Sequence, residues 1–114
     1  MEFTIYHNPR CSKSRAALAL LREHGVELEV VEYLQTPLSP ATLRALLKKL
    51  GVKPLEIIRQ GETEYKPYAT KNLSDADWIV AIAAHPILLE RPIVVRGNRA
   101  VVGRPPEAVL QLFD

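Results

Sequence analysis

One cysteine, Cys11, stands in a chain of 114 residues. No disulfide can close within the chain, which removes the usual staple of small secreted domains and favours a reducing cytosol. Long apolar stretches are also missing. The run Ile79 to Ala84 is far too short for a bilayer, which takes about 20 residues. The opening MEFTIYH carries an acid at Glu2 and does not read as a secretory leader, so a cytoplasmic protein without membrane attachment is expected. Charge of one sign is scarce too. A formal net charge of +2 does not indicate a large nucleic-acid footprint, although a few arginines can still build a local anion pocket. Neither a Gly-x-Gly-x-x-Gly run nor a Walker loop occurs. Ser14 stands where a Cys-x-x-Cys oxidoreductase needs its second thiol, and Ala17 where the phosphate loop of tyrosine phosphatases needs its arginine. His7 and Cys11 have a spacing that can bind zinc, but His24 and His85 lie in unrelated segments. No metal and no bound cofactor are expected.

What is present is an ordinary globular balance, 47% hydrophobic and 25% charged, in a length that suits one domain with a core of its own. FTIYH alternates like a strand, Asn8-Pro9 supplies turn chemistry, and Ser12 to His24 reads as a helix with Ala17, Leu18, Leu20 and Leu21 on its apolar face. Gly25 follows as a helix stop, and Val26, Leu28 and Val30 alternate in a second strand. This βαβ unit implies parallel strands. Ser39 and Ser74 are placed to cap two further helices, the first carrying Leu43, Leu46, Leu47 and Leu50 at helical spacing before Gly51. GETEYKPYATKN reads as loop. IVVRGNRAVV reads as a hairpin turning at Gly97-Asn98, and Pro105-Pro106 opens a last helix whose Val109, Leu110 and Phe113 are expected to face inward. The order amounts to an α/β, thioredoxin-like plan, βαβ plus ββα. We expect a single domain with a helical insertion at about residues 37–86.

Cys11 sits between Pro9-Arg10 and Ser12-Lys13, which is not core-like company. A strand ending near His7 and a helix beginning near Ser12 put the sulfur at or beside the N-cap. There it meets free backbone N–H groups and the positive end of the helix dipole, both of which favour thiolate over thiol. A free thiol, with a pKa of about 8.5, is only a few per cent ionised at pH 7, so that help decides whether the residue is a nucleophile. His7 reads equally well as a local partner of the thiol or as a packed strand-end residue. The same N–H groups suit an oxyanion. An anion beside a thiolate needs further cations. Arg59, Arg91 and Arg104 are candidates, the last two fixed at bends because each precedes a proline.

IYHNPRCSKSR, PLEIIRQGE, HPILLERPIVV and GRPPEAVLQLF together resemble the glutaredoxin-dependent arsenate reductase family over nearly the whole chain. The resemblance implies a thioredoxin-like fold and a nucleophile at Cys11 that attacks arsenate. It implies a thiol–arsenic adduct, attack by glutathione, and completion of the reduction to arsenite by glutaredoxin. It also implies that Arg59, Arg91 and Arg104 hold the oxyanion, that His7 helps lower the thiol pKa, and that Pro92 follows a cis peptide bond. Asn8 and Ser14 join the arginines as expected substrate-binding residues. The expected partners are arsenate, glutathione as co-substrate and glutaredoxin, with the protein itself a monomer. Two other readings stand beside this one. A related family of redox-responsive regulators binds RNA polymerase, but its members usually carry Cys-x-x-Cys where Cys11 and Ser14 stand. The third reading is a glutathione-linked thiol protein with another substrate.

Overall fold

The computed structural model describes residues 2–113. They fall into two compact units: residues up to Thr36 together with those from Arg91 onward, and Pro37–Glu90.

The first unit is built on a four-stranded sheet in the order β2-β1-β3-β4. β1 (Glu2–Tyr6) runs parallel to β2 (Glu27–Val31), in register from Glu2 opposite Glu27 to Tyr6 opposite Val31. Because parallel neighbours need a crossover, the chain between them forms α1, Ser12–Glu23. The expected stop at Gly25 has a φ of 65°, which glycine adopts without the Cβ penalty of other residues. β3 (Ile93–Arg96) pairs antiparallel with β1, and β4 (Arg99–Val102) with β3 around the hairpin expected at Gly97-Asn98. Phe3, Ile5, Ala17, Leu21, Val94, Val109 and Leu112 form one buried cluster, so the strand and helix periodicities point at a common core.

The last element differs from expectation. Pro106–Phe113 winds as a 3-10 helix. Val109 and Leu112 are buried, whereas Leu110 is exposed. A helix with three residues per turn puts positions three apart on one stripe, so Leu112 takes the inward place that helical spacing assigned to Leu110. The carbonyl oxygens of Leu112 and Gln111 accept from Arg96 (2.6 Å) and Arg99 (2.7 Å), which ties this element to the hairpin.

In the second unit, α2 (Pro40–Leu50) starts where the Ser39 hydroxyl accepts from the Thr42 N–H at 3.1 Å. α3 (Asp75–Ala84) starts where Ser74 accepts from Asp77 at 3.2 Å. Leu43, Leu46, Trp78, Ile79 and Ile82 are buried. Thr63–Tyr68, expected as loop, makes a 3-10 helix that lays Tyr65 on Trp78 at 6.0 Å between ring centroids. The insertion expected to end near residue 86 runs on to Glu90 as a compact unit. The Arg59 N–H donates to Leu88 O (2.7 Å) and the Glu90 N–H to Ile57 O (2.8 Å), stitching the two short segments together. No helix among the described residues is long and apolar enough to cross a membrane.

Candidate active site

Cys11 is the N-cap residue of α1, extended at φ −94° and ψ 122°. The turn before it closes with the Cys11 N–H donating to Asn8 O at 3.0 Å, and α1 opens with Arg15 N–H donating to Cys11 O at 3.0 Å. The thiol is half-buried. Burial by itself pushes its pKa up. The Ser14 N–H, the Arg91 guanidinium and the Lys13 N–H, with the Arg91 charge behind them, outweigh that and bring the thiol below its ordinary value. The result is a sulfur biased toward thiolate, by the helix-terminus donors that the sequence implies and by one cation from a segment remote in sequence.

Ser14 is fully buried and works from both ends. Its N–H faces the sulfur. Its hydroxyl accepts the Asn8 N–H at 3.1 Å and lies 2.6 Å from His7 Nδ1. His7 and Asn8 are themselves buried, and Asn8 Oδ1 accepts the Arg10 N–H at 3.0 Å. Burial holds the His7 imidazole below its ordinary pKa. Glu32 opposes that shift, while Arg22 and Arg15 add to it. His7 thus meets the turn as a buried imidazole bonded to Ser14.

Arg91 and Arg104 lie in the same unit as Cys11. Both precede cis prolines, Pro92 and Pro105, and Arg104 Nη1 donates to Arg91 O at 3.2 Å. Arg59 belongs to the other unit. There its Nε donates to Glu62 (3.1 Å) and its Nη1 to Glu90 (2.9 Å). Burial alone would lower the Arg59 pKa, but the two carboxylates raise it. Sequence reasoning missed Glu62 and Glu90. Glu62, three residues on, was open to a local search; Glu90 becomes a neighbour only through the stitch between the Ile57 and Leu88 segments. Among the described residues no group of three or more His, Cys, Asp and Glu side chains converges to hold a metal ion.

The sequence model of the ArsC family matches residues 6–112. The chain belongs to the ArsC family. It is 55% identical over 111 residues to the uncharacterized protein YfgD of Escherichia coli (strain K12), covering 95% of this chain and 93% of that protein. It is 44% identical over 116 residues to a protein of Haemophilus influenzae named arsenate reductase, covering 99% of this chain and all of the relative. A solved structure from Vibrio cholerae, also named arsenate reductase, superimposes with a TM-score of 0.93 at 45% identity over 97% of each chain. The thioredoxin-like α/β plan of the sequence is the fold of this ArsC protein.

Proposed function

We propose that this protein reduces arsenate to arsenite in the cytosol through an adduct on Cys11, with glutathione and then glutaredoxin supplying the electrons. The observation that carries the reading is the depressed Cys11 thiol at the mouth of α1 with the Arg91 guanidinium beside it. That is an activated nucleophile with its own anion-binding donors, in a chain with no second thiol. The names of the Haemophilus influenzae and Vibrio cholerae relatives supply the substrate.

In this reading the thiolate attacks arsenic(V), an As–S bond forms, and one protonated oxygen leaves as water. The N–H groups at the start of α1, with Arg91 and Arg104, take up oxyanion charge. Arg59 is assigned by resemblance as the third cation. Asn8 is kept as a substrate-binding residue of the turn, and Ser14, whose side chain is fully buried, takes part through its backbone N–H. Glutathione adds its thiol to arsenic and a second water leaves. A glutaredoxin thiolate then attacks the glutathione sulfur. The As–S bond to glutathione breaks with its electron pair left on arsenic, which becomes arsenic(III), and a glutaredoxin–glutathione disulfide forms. Water hydrolyses the remaining As–S bond, releasing arsenite and the Cys11 thiol. One protein cysteine suffices because the other two thiols are brought in.

The test is arsenite production by the purified protein with glutathione, glutaredoxin and arsenate. Turnover that disappears in Cys11→Ser supports the reading, and equal inactivity of the two proteins contradicts it. Intact-protein mass spectrometry adds a direct sign: an arsenic adduct on the wild type and none on Cys11→Ser.

A further inference from the structure

The parallel strands β1 and β2 end side by side at Tyr6 and Val31, and the chain leaves them in two different turns. One turn is Asn8 to Cys11. The other follows Val31, where the Gln35 and Thr36 N–H groups both donate to Glu32 O at 3.0 Å. His7 N–H donates to Val31 O at 2.8 Å and carries the strand pairing one step further. Beyond that point the turns part around a cavity of about 230 Å³ bordered by His7, Asn8, Arg10, Glu32, Leu34 and Gln35. A crevice at the carboxyl ends of parallel strands is the usual place for a ligand in an open α/β sheet. The charges here are specific. Arg10 offers a cation from one turn and Glu32 a carboxylate from the other, and Gln35 also borders the cavity. Cys11 follows Arg10 directly.

We propose that this cavity receives the γ-glutamyl end of glutathione. The assignment rests on glutathione being the co-substrate of the function proposed above. The γ-glutamyl group is an amino-acid zwitterion: its α-carboxylate pairs with Arg10 and its α-ammonium with Glu32, the two opposite charges the cavity presents. Gln35 adds an amide for either group. The reach fits as well. Seven covalent bonds separate the γ-glutamyl Cα from the glutathione sulfur, roughly 8 Å when extended, and the ends of a tight turn such as Asn8 to Cys11 lie within about 7 Å of each other. A γ-glutamyl head held between Arg10 and Glu32 can therefore present its thiol to a group carried on Cys11. An oxyanion would not choose this cavity, because Glu32 borders it.

The experiment titrates the ¹⁵N-labelled wild-type protein with S-methylglutathione, whose blocked sulfur cannot react, with no arsenate present. Amide shifts concentrated at Asn8, Arg10 and Glu32–Gln35 are expected. Shifts located elsewhere, or none at millimolar ligand, overturn the assignment. Steady-state kinetics supply the second arm. Glu32→Gln is expected to raise the glutathione KM about fivefold, the size of one partly exposed charge pair, with the arsenate KM unchanged. With N-acetylglutathione, which lacks the ammonium, the same substitution is expected to have no effect; an equal loss with both thiols overturns the pairing with Glu32. The two readings fail separately. Localised shifts in a protein that makes no arsenite remove the reductase function and keep the site. Full arsenite production with an unchanged glutathione KM in Glu32→Gln removes the site and keeps the function.

Discussion

The Ser14 hydroxyl lies 2.6 Å from His7 Nδ1 at the end of β1, while the Ser14 backbone N–H is one of the donors acting on the Cys11 sulfur. One residue thus fixes the position just after β1 to the first turn of the helix that activates the thiol. Ser14→Ala keeps the N–H and removes the hydroxyl. It leaves the buried Asn8 N–H and the His7 ring without this partner, at a cost of about 1–3 kcal/mol. Urea unfolding is expected to show that loss, and the thiol titration of the variant is expected to move upward as the turn loosens. A variant with wild-type stability contradicts this account.

Cys11 offers a prediction with a sign. Its pKa in the folded protein lies below that of the unfolded chain. Between those two values the unfolded state binds more protons, so stability rises with pH in that interval and is fully present above the free thiol value of about 8.5. The stability advantage of the wild type over Cys11→Ala should therefore grow as pH rises from the folded-state midpoint to about 9. Thiolate absorbance at 240 nm gives the folded midpoint directly. Arg91→Met should raise that midpoint and Arg91→Lys should raise it less, because the lysine retains charge but not the planar fork.

How much of this was legible in the sequence depends on the range of the interaction. Ser39 and Ser74 cap helices through N–H groups three residues away, Gly25 and Gly51 end them, and Gly97 turns the hairpin. All of these are local decisions that the sequence carries on its face. The position of Cys11 at a helix start is of the same kind. The Arg91 guanidinium at the sulfur is not, since eighty positions separate the two residues and only the β1–β3 pairing brings their segments close. The arginines were therefore available from the sequence as candidates, but their partners were not. Pro106–Phe113 shows a third case. Its apolar residues fit periods of three and of three and a half almost equally over eight positions, and burial of Leu112 in place of Leu110 decides between them.

His7 supplies a pH dependence of its own. Burial lowers its pKa, Glu32 resists, and Arg22 and Arg15 assist. The folded protein therefore holds this proton less tightly than the unfolded chain does. Stability contributed by neutral His7 is present above the unfolded value of about 6.5 and is lost as pH falls through the folded one. Replacing His7 with Gln should flatten the fall in melting temperature between about pH 6.5 and 5, whatever it does to stability at neutral pH. Glu32→Gln should steepen that fall, because it removes the one carboxylate that eases protonation. Unchanged slopes in both variants contradict the role given to this imidazole.

Gly103 closes a loop whose two ends adjoin Arg91 and Arg104. Its N–H donates to Pro92 O at 2.8 Å, and a Cβ at this position would stand 2.8 Å from Pro92 Cγ and 3.2 Å from Val109 Cγ1. A proline ring and a packed valine have little room to yield. Gly103→Ala must therefore shift the backbone on one side or the other, at a cost of about 1–3 kcal/mol. The shift falls between Arg91, next to Pro92, and Arg104, next to Gly103, whose Nη1 already reaches the Arg91 carbonyl at 3.2 Å. Lower stability in urea is expected together with a raised Cys11 midpoint, since Arg91 is the cation that favours the thiolate. Gly97→Ala serves as the control. Nothing lies within 4 Å of its would-be Cβ, but its φ of 63° strains any side chain. That variant should lose stability and leave the thiol midpoint where it is. If both variants move the midpoint equally, the close approach at Gly103 has no special part in holding Arg91.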